Sequence, residues 1–381
     1  MNAPFAFKKV DAAPVIRVPY VDFAAQYAEE RADIHACVDR VFAKGDFVAG
    51  AAVAELEAAL ATKCGVKHAV ALASGTDALI LALKVLGIGP GDEVITAPNS
   101  FVASTSCIAL VGATPVFVDV AADQNIDPAK IEAAVTARTK AILPVHLTGR
   151  IAEMDAINAI AAKHGLAVVE DSAQAIGSTY RGKASGALGT VGCFSTHPLK
   201  NLGGAGDGGF LTTNDGALAE RIKRLRTHGM IDRNTVAEWG VVSRMDTLQA
   251  AILNMRLAKL DTLTAGRRAN AAQYRALLDA RHVFVPPERA YATDTYHTFV
   301  VQVDRRDELR AYLLERGIET FIHYPIPIHL QPAARGLGYG LGSFPVAEQQ
   351  SARILTLPVN QYLSSEQIEL VATTVNQFFR A

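Results

Sequence analysis

Lys200 lies inside FSTHPLKN, residues 194–201, immediately before the glycine-rich LGGAGDGG. Three chemistries are open to such a lysine: a solvated loop cation, a phosphate clamp, or a nucleophile that condenses with a carbonyl. The neighbouring glycines discriminate among them. GAGDGG at 204–209 matches GxGxxG, but a dinucleotide fingerprint follows a strand and opens a helix, and this match precedes FLTT, which reads as a strand. A P-loop places Gly-Lys-Ser/Thr at its end, whereas this lysine comes before its glycines. What is left is a lysine on a tight turn where glycine permits close backbone approach.

Three other stretches carry residues suited to the same chemistry. AVVED ends in Asp171, a helix cap or loop-ordering carboxylate in an ordinary setting, and a salt-bridge or cofactor partner if Lys200 faces it. ALASGTDALILAL places Ser74-Gly75-Thr76-Asp77 between a strand and a helix, either as a plain capped start or as an anion cup at the helix N-terminus. APNSFVAST sets Phe101 just after a strand, as core or as a stacking surface for a flat ring. Taken together they describe one ligand. A phosphate sits at Gly75 and Thr76, a ring lies on Phe101, a ring nitrogen faces Asp171, and an aldehyde meets Lys200. Pyridoxal 5'-phosphate has that set of needs.

Such residues need a scaffold that brings them to one edge. HAVAL, EVITA, PVFVDV, AILPVH and AVVED read as strands rich in valine and isoleucine. DALILALKVLG, FVASTSCIALVG, DPAKIEAAVT and MDAINAIAAKHG between them carry helical periodicity. This alternation predicts an α/β fold with a mainly parallel central sheet covered on both faces, and ligands bind such sheets at the strands' carboxyl ends. Past residue 245 the pattern turns to long helices, the strand HTFVVQV, the apolar ETFIHYPIP and a terminal helix at SSEQIELVATTVNQFFRA. We therefore expect a large domain with an N-terminal arm over 1–255 and a smaller C-terminal α+β domain over 256–381.

Composition bounds the function classes. A net charge of −1 gives no field favouring nucleic acid, and the densest basic run, RIKRLRTHG at 221–229, reads as one helix face. The four cysteines are far apart with no CxxC, so packed, reduced thiols are expected and no metal site. Neither a signal peptide nor an apolar run of about 20 residues is present, which predicts a cytoplasmic protein without a membrane partner.

The ordered motifs VPYVDFAAQY, SGTDAL, GDEVITAPNSFVAS, GATPVFVDV, TKAILPVHLTGR, VVEDSAQAIGSTYRGK, GCFSTHPLKNLGGAGDGG, SRMDTLQAAIL and FPVAEQQSARILTLPV run nearly end to end. In them the chain resembles the DegT/DnrJ/StrS-type nucleotide-sugar aminotransferases, which are fold type I pyridoxal-phosphate enzymes. The resemblance implies that Lys200 is the Schiff-base lysine and Asp171 the partner of the pyridine nitrogen. It implies that Gln174 bonds near the ring hydroxyl, that Ser195, Gly75 and Thr76 hold the phosphate, and that Phe101 stacks on the ring. It also implies a homodimer with shared active sites, in which Arg244 completes the neighbouring subunit's site. The family commonly has asparagine two residues before that arginine, and here the position is Val242. Either Ser243 takes over the phosphate contact or that contact is lost. A sister group that dehydrates sugars replaces the lysine with histidine. Lys200 is present here, and His197 is left as a structural or a substrate-side residue.

GIETFIHYPIPIHLQPA and GDGG resemble the subset that aminates C3 of nucleotide-linked keto sugars. His323, Tyr324 and His329 are then candidates for substrate contact, against a reading in which Tyr324 and the prolines form a rigid turn and only one histidine faces the site. L-Glutamate is the expected amino donor in a ping-pong reaction that serves amino-sugar and polysaccharide synthesis. Amination at C4, another fold type I reaction and a catalytically silent regulator are the competing readings.

Overall fold

The structure, a computed structural model, describes residues 15–380. Seven strands form the central sheet: β1 (His68–Leu72), β2 (Glu93–Thr96), β3 (Thr114–Phe117), β4 (Thr139–Leu143), β5 (Ala167–Asp171), β6 (Val191–Ser195) and β7 (Gly209–Thr213), in the order β1-β7-β6-β5-β4-β2-β3. All neighbours are parallel except β7, which runs antiparallel to both β1 and β6. Parallel neighbours need a helical crossover, whereas an antiparallel pair can be joined by a loop. The segment between β6 and β7 is such a loop, and it carries Lys200 to the same sheet edge at which β5 delivers Asp171. Phe194 and Phe210 face each other across this pair with ring centroids 4.3 Å apart, bracing the loop's two ends.

Of the strands expected from the sequence, HAVAL and AVVED appear at full length and the others with shifted or shortened ends. PVFVDV is paired only over Thr114–Phe117, and DPAKIEAAVT yields a single turn, Pro128–Ile131, followed by a 3-10 turn. Val70, Leu72, Leu143, Val169 and Leu211 pack under the Gly75–Val85 and Gly216–Leu225 helices, while Ile95, Ile142 and Val168 pack on the other face with Ile157 of the Met154–His164 helix. All four cysteines are buried and unpaired.

The single long helix or pair expected beyond residue 245 is two helices, Thr247–Leu257 and Leu260–Leu277. The first packs with the large domain through Ala250 and Leu253, whereas Ala271 and Tyr274 of the second lie in the core of the small domain. That core covers a three-stranded antiparallel sheet whose middle strand is Phe299–Val303 and whose third strand is Ile354–Leu357. ETFIHYPIP, an apolar stretch in the sequence, contributes only a bridge from Phe321 to Thr356.

The N-terminal arm departs from the expected boundary. Val18 pairs in parallel with Ile318, and Tyr20 N donates to Glu319 Oε2 at 3.0 Å. The arm residues 17–20 thus dock on the small domain, and Val18 is fully buried in its core.

Candidate active site

The site is built where β5, β6 and the β1 turn end together. Alternation along β5 sends Glu170 and Asp171 to opposite faces. Glu170 is fully buried and accepts from the amides of Gly186, Leu188 and Gly189, with His146 Nε2 at 2.9 Å. That carboxylate is an internal brace, and it leaves Asp171 as the functional group. Asp171 Oδ2 accepts from Ser104 Oγ at 2.7 Å and Oδ1 from Ala173 N at 3.1 Å. Ser104 was missed in the sequence. It lies on the first turn of the Ala103–Leu110 helix, three residues beyond Phe101, and that spacing is the only signal it gave.

Lys200 follows a turn closed by its own amide donating to His197 O at 2.8 Å. His197 is exposed. Its amide donates to Ser195 Oγ at 3.2 Å and its Nδ1 accepts from Leu199 N at 3.2 Å, so it shapes the turn that presents the lysine. The Lys200 side chain borders a small cavity, and burial lowers its pKa to about 8 against the opposing pull of the Asp171 charge. A part-buried amine whose pKa is drawn down toward neutrality, facing a buried carboxylate, is the arrangement that nucleophilic and proton-transfer chemistry requires.

The anion cup is the turn after β1. Ser74 is extended and its Oγ accepts from Asp77 N at 3.0 Å, which opens the Gly75–Val85 helix with the first amides directed outward. A Cβ on Gly75 would lie 2.7 Å from Ser195 Cβ, and one on Gly209 would lie 2.4 Å from the Ser74 carbonyl carbon. The glycines are therefore required by close approach, which keeps Gly75, Thr76 and Ser195 together as one small concave group.

Ser243 corrects the expectation of a contact to the partner's phosphate. It is fully buried, its Oγ donates to Asp77 Oδ2 at 2.7 Å, and it accepts from Ala73 N at 3.3 Å. Its hydroxyl is committed to its own chain, where it secures the cup from behind. Val242 beside it is exposed, and Arg244 makes no hydrogen bond or ion pair among the described residues.

On the opposite wall, Phe101 is half-exposed and its ring lies 5.9 Å from that of Tyr324. Gln174 Oε1 accepts from Thr148 N at 2.7 Å, and its amide reaches the Tyr324 hydroxyl, whose pKa burial raises. His323 Nδ1 lies 2.9 Å from Thr356 Oγ1. Burial and the Lys200 charge push that histidine down to about 4, so it is neutral at neutral pH. His329 is not brought to this group. It is buried, its Nε2 meets Glu348 at 3.0 Å, and Phe344 packs on it edge-on. It braces the turn at 342–348 and is no candidate for substrate contact.

These residues fit a phosphorylated pyridine aldehyde. The cup suits the phosphate, Phe101 offers a ring face, Asp171 offers a carboxylate held by one hydroxyl and one amide, and Lys200 offers an amine. Among the described residues no group of three or more His, Cys, Asp or Glu side chains is placed to hold a metal ion.

Comparison with known proteins places residues 28–376 under the model of the DegT/DnrJ/EryC1/StrS aminotransferase family. The chain is 44% identical over 96% of its length to a pleiotropic regulatory protein of Geobacillus stearothermophilus, of which 99% is covered. It is also 44% identical, over 95% of its length and 96% of the relative, to dTDP-3-amino-3,4,6-trideoxy-alpha-D-glucose transaminase of Streptomyces venezuelae. The crystal structure of S. venezuelae DesV in complex with a ketimine intermediate superposes with a TM-score of 0.94 at 43% identity, covering 96% of this chain and all of that one.

Proposed function

The chain belongs to the DegT/DnrJ/EryC1/StrS aminotransferase family, and on that premise we propose that it moves an amino group from L-glutamate to C3 of a nucleotide-linked keto sugar. The observation that carries this reading is the part-buried amine of Lys200 set against the buried carboxylate of Asp171, beside the Gly75–Thr76–Ser195 cup. The C3 assignment draws on the 3-amino-sugar transaminase of S. venezuelae. The relative named as a regulator favours a silent homologue, but a silent homologue has no need of a lysine whose pKa burial lowers.

Pyridoxal phosphate, when bound, supplies an aldehyde for amines and a ring that accepts the electron pair released at the donor's Cα. Gly75, Thr76 and Ser195 would hold its phosphate, and Phe101 and Tyr324 would bound its ring. Asp171, fixed by Ser104, would favour a proton on the pyridine nitrogen. Lys200 Nζ takes the proton from the donor's Cα, which requires the neutral amine that burial favours, and later delivers one to the sugar carbon receiving nitrogen. His323 stays neutral beside it, and its role is to bound the substrate's side of the lysine.

We assign the enzyme to a homodimer. Phe47 O accepts from Thr247 N and Val48 bridges Asp246, and Phe42, Phe47, Val48, Trp239, Val241 and Val242 are all exposed apolar side chains. Apolar surface of this kind marks an interface. Arg244 follows exposed Val242 by two residues, which suits a contribution to the partner's site. Among the described residues no helix is long and apolar enough to cross a membrane, and we place the reaction in the cytoplasm with its metabolite substrates.

The test is spectral. Protein reconstituted with pyridoxal phosphate should show a visible band that borohydride bleaches and that Lys200→Ala lacks. L-Glutamate should abolish the band, and a 3-keto nucleotide sugar should restore it. Restoration by the 4-keto sugar alone would move the reaction to C4, and a protein that never takes up the aldehyde would be the silent homologue.

A further inference from the structure

Behind Lys200 the arm and the small domain enclose an electropositive recess. Two small adjoining cavities share Val21, Leu199, Arg267 and Asn360, and the second also reaches Lys200. Arg267 lines both and is only 8% exposed. Its Nη1 donates to Tyr296 O at 3.2 Å and to His297 O at 3.1 Å. Its Nε is buried without a partner, and among the described residues Nη2 has none either. Among the described residues no carboxylate pairs with this guanidinium; the acidic groups nearest it in effect are the hydroxyls of Tyr20 and Tyr362, both of which titrate above the neutral range and so stay uncharged.

Proteins almost always give a buried arginine a carboxylate, because desolvating the charge is otherwise uncompensated. Here the reverse holds. Lys200, Arg267, His323 and His197 all repel a proton from His297, which burial and these cations hold well below its ordinary range, and His297 Nδ1 is also unpartnered. The Nε–Nη2 edge of arginine is a fork that matches the two oxygens of a carboxylate. The recess therefore presents a free donor edge whose geometry suits a carboxylate.

Geometry of the reaction identifies it. If Lys200 Nζ takes the proton from the donor's Cα, the donor's α-carboxylate is one bond from that carbon and must lie at the border of the Lys200 cavity. We propose that the free edge of Arg267, in the recess closed by Tyr20, His297 and His323, binds the α-carboxylate of the amino-acid donor. This rests on the aminotransferase reading and adds a specificity residue to it. The N-terminal arm thereby gains a purpose, since Tyr20 and Val21 complete the wall.

The experiment uses holoenzyme and follows the cofactor absorbance. Wild-type protein that shows no band, or no response to glutamate, would sink the aminotransferase reading and with it the basis of the subsite. With that response in place, Arg267→Gln should raise half-saturating L-glutamate and L-alanine at least tenfold. The nucleotide-sugar half-reaction should change by less than twofold, and the cofactor band should keep its position. Arg267→Lys should recover part of the loss. An unchanged glutamate dependence, an equal loss in both half-reactions, or an effect on glutamate but not alanine would overturn the α-carboxylate assignment. If Arg267→Gln does not fold, wild-type holoenzyme decides. Glutarate should compete with glutamate while inorganic pyrophosphate does not, and competition by pyrophosphate would assign the recess to a phosphate.

Discussion

At the residue scale, burial sets the protonation of Lys200 and thereby the pH at which it works. With its pKa lowered to about 8, the amine is protonated below that value and neutral above it. Capture of pyridoxal phosphate by apo protein needs the neutral amine. Its rate should rise about tenfold per pH unit up to pH 8 and level off above, as stopped-flow absorbance would show. Stability should follow the same sign. Between pH 8 and 10.5 the unfolded chain keeps a proton that the folded lysine has lost, so Lys200 makes stability increase with pH across that window. Lys200→Ala should lower turnover by about 10²–10⁴-fold or more, because both the proton carrier and the condensing amine are removed. Both Lys200 and Asp171 were legible in the sequence, since each follows a strand-like run. Ser104 and Arg267 were not, because a serine in a helical turn and an arginine in a long amphipathic helix carry no local mark of what they meet.

At the scale of elements, the site is a set of strand ends locked by close contacts. The β1 turn rests against the start of β7 and the end of β6, and Ser243 ties it to the segment before the Thr247–Leu257 helix. Gly75→Ala would force a methyl group within 2.7 Å of Ser195 Cβ. It should cost about 1–3 kcal/mol as overpacking and weaken cofactor binding, read from thermal melts with and without pyridoxal phosphate. Ser243→Ala removes one hydroxyl that serves both Asp77 and Ala73 N, and should cost about 1–3 kcal/mol in urea unfolding. The sequence exposed the glycines but not their reason. Their requirement comes from neighbours more than a hundred residues away, which no local pattern encodes.

At the scale of the whole molecule, the proposed dimer would draw on exposed apolar surface that includes Trp239, 86% exposed, and Val242. Val242→Asp combined with Trp239→Asp should convert a dimer to monomers in sedimentation velocity. It should also reduce activity, because Arg244 would no longer reach a neighbouring site. A pair of variants that sediments as wild type would remove this surface from the interface. The arm acts at the same scale. Docked along the Ile318 segment and held by Asn360 Nδ2 to the carbonyls of Pro19 and Tyr20, it spans from the small domain to the Lys200 loop.

The sequence by itself determined the alternation of strands and helices, the lysine and carboxylate at one sheet edge, the glycine turn, and the family likeness. Hydrophobic period, turn chemistry and motif order are all local in the chain, so a single sequence displays them. Only the tertiary structure decided that β7 runs antiparallel and that Glu170 is a brace beside the functional Asp171. It also decided that His329 faces Glu348, that Ser243 serves its own chain, and that the arm joins the small domain. Each of these depends on which distant group fills the space beside a side chain, and burial and pairing across the fold fix that.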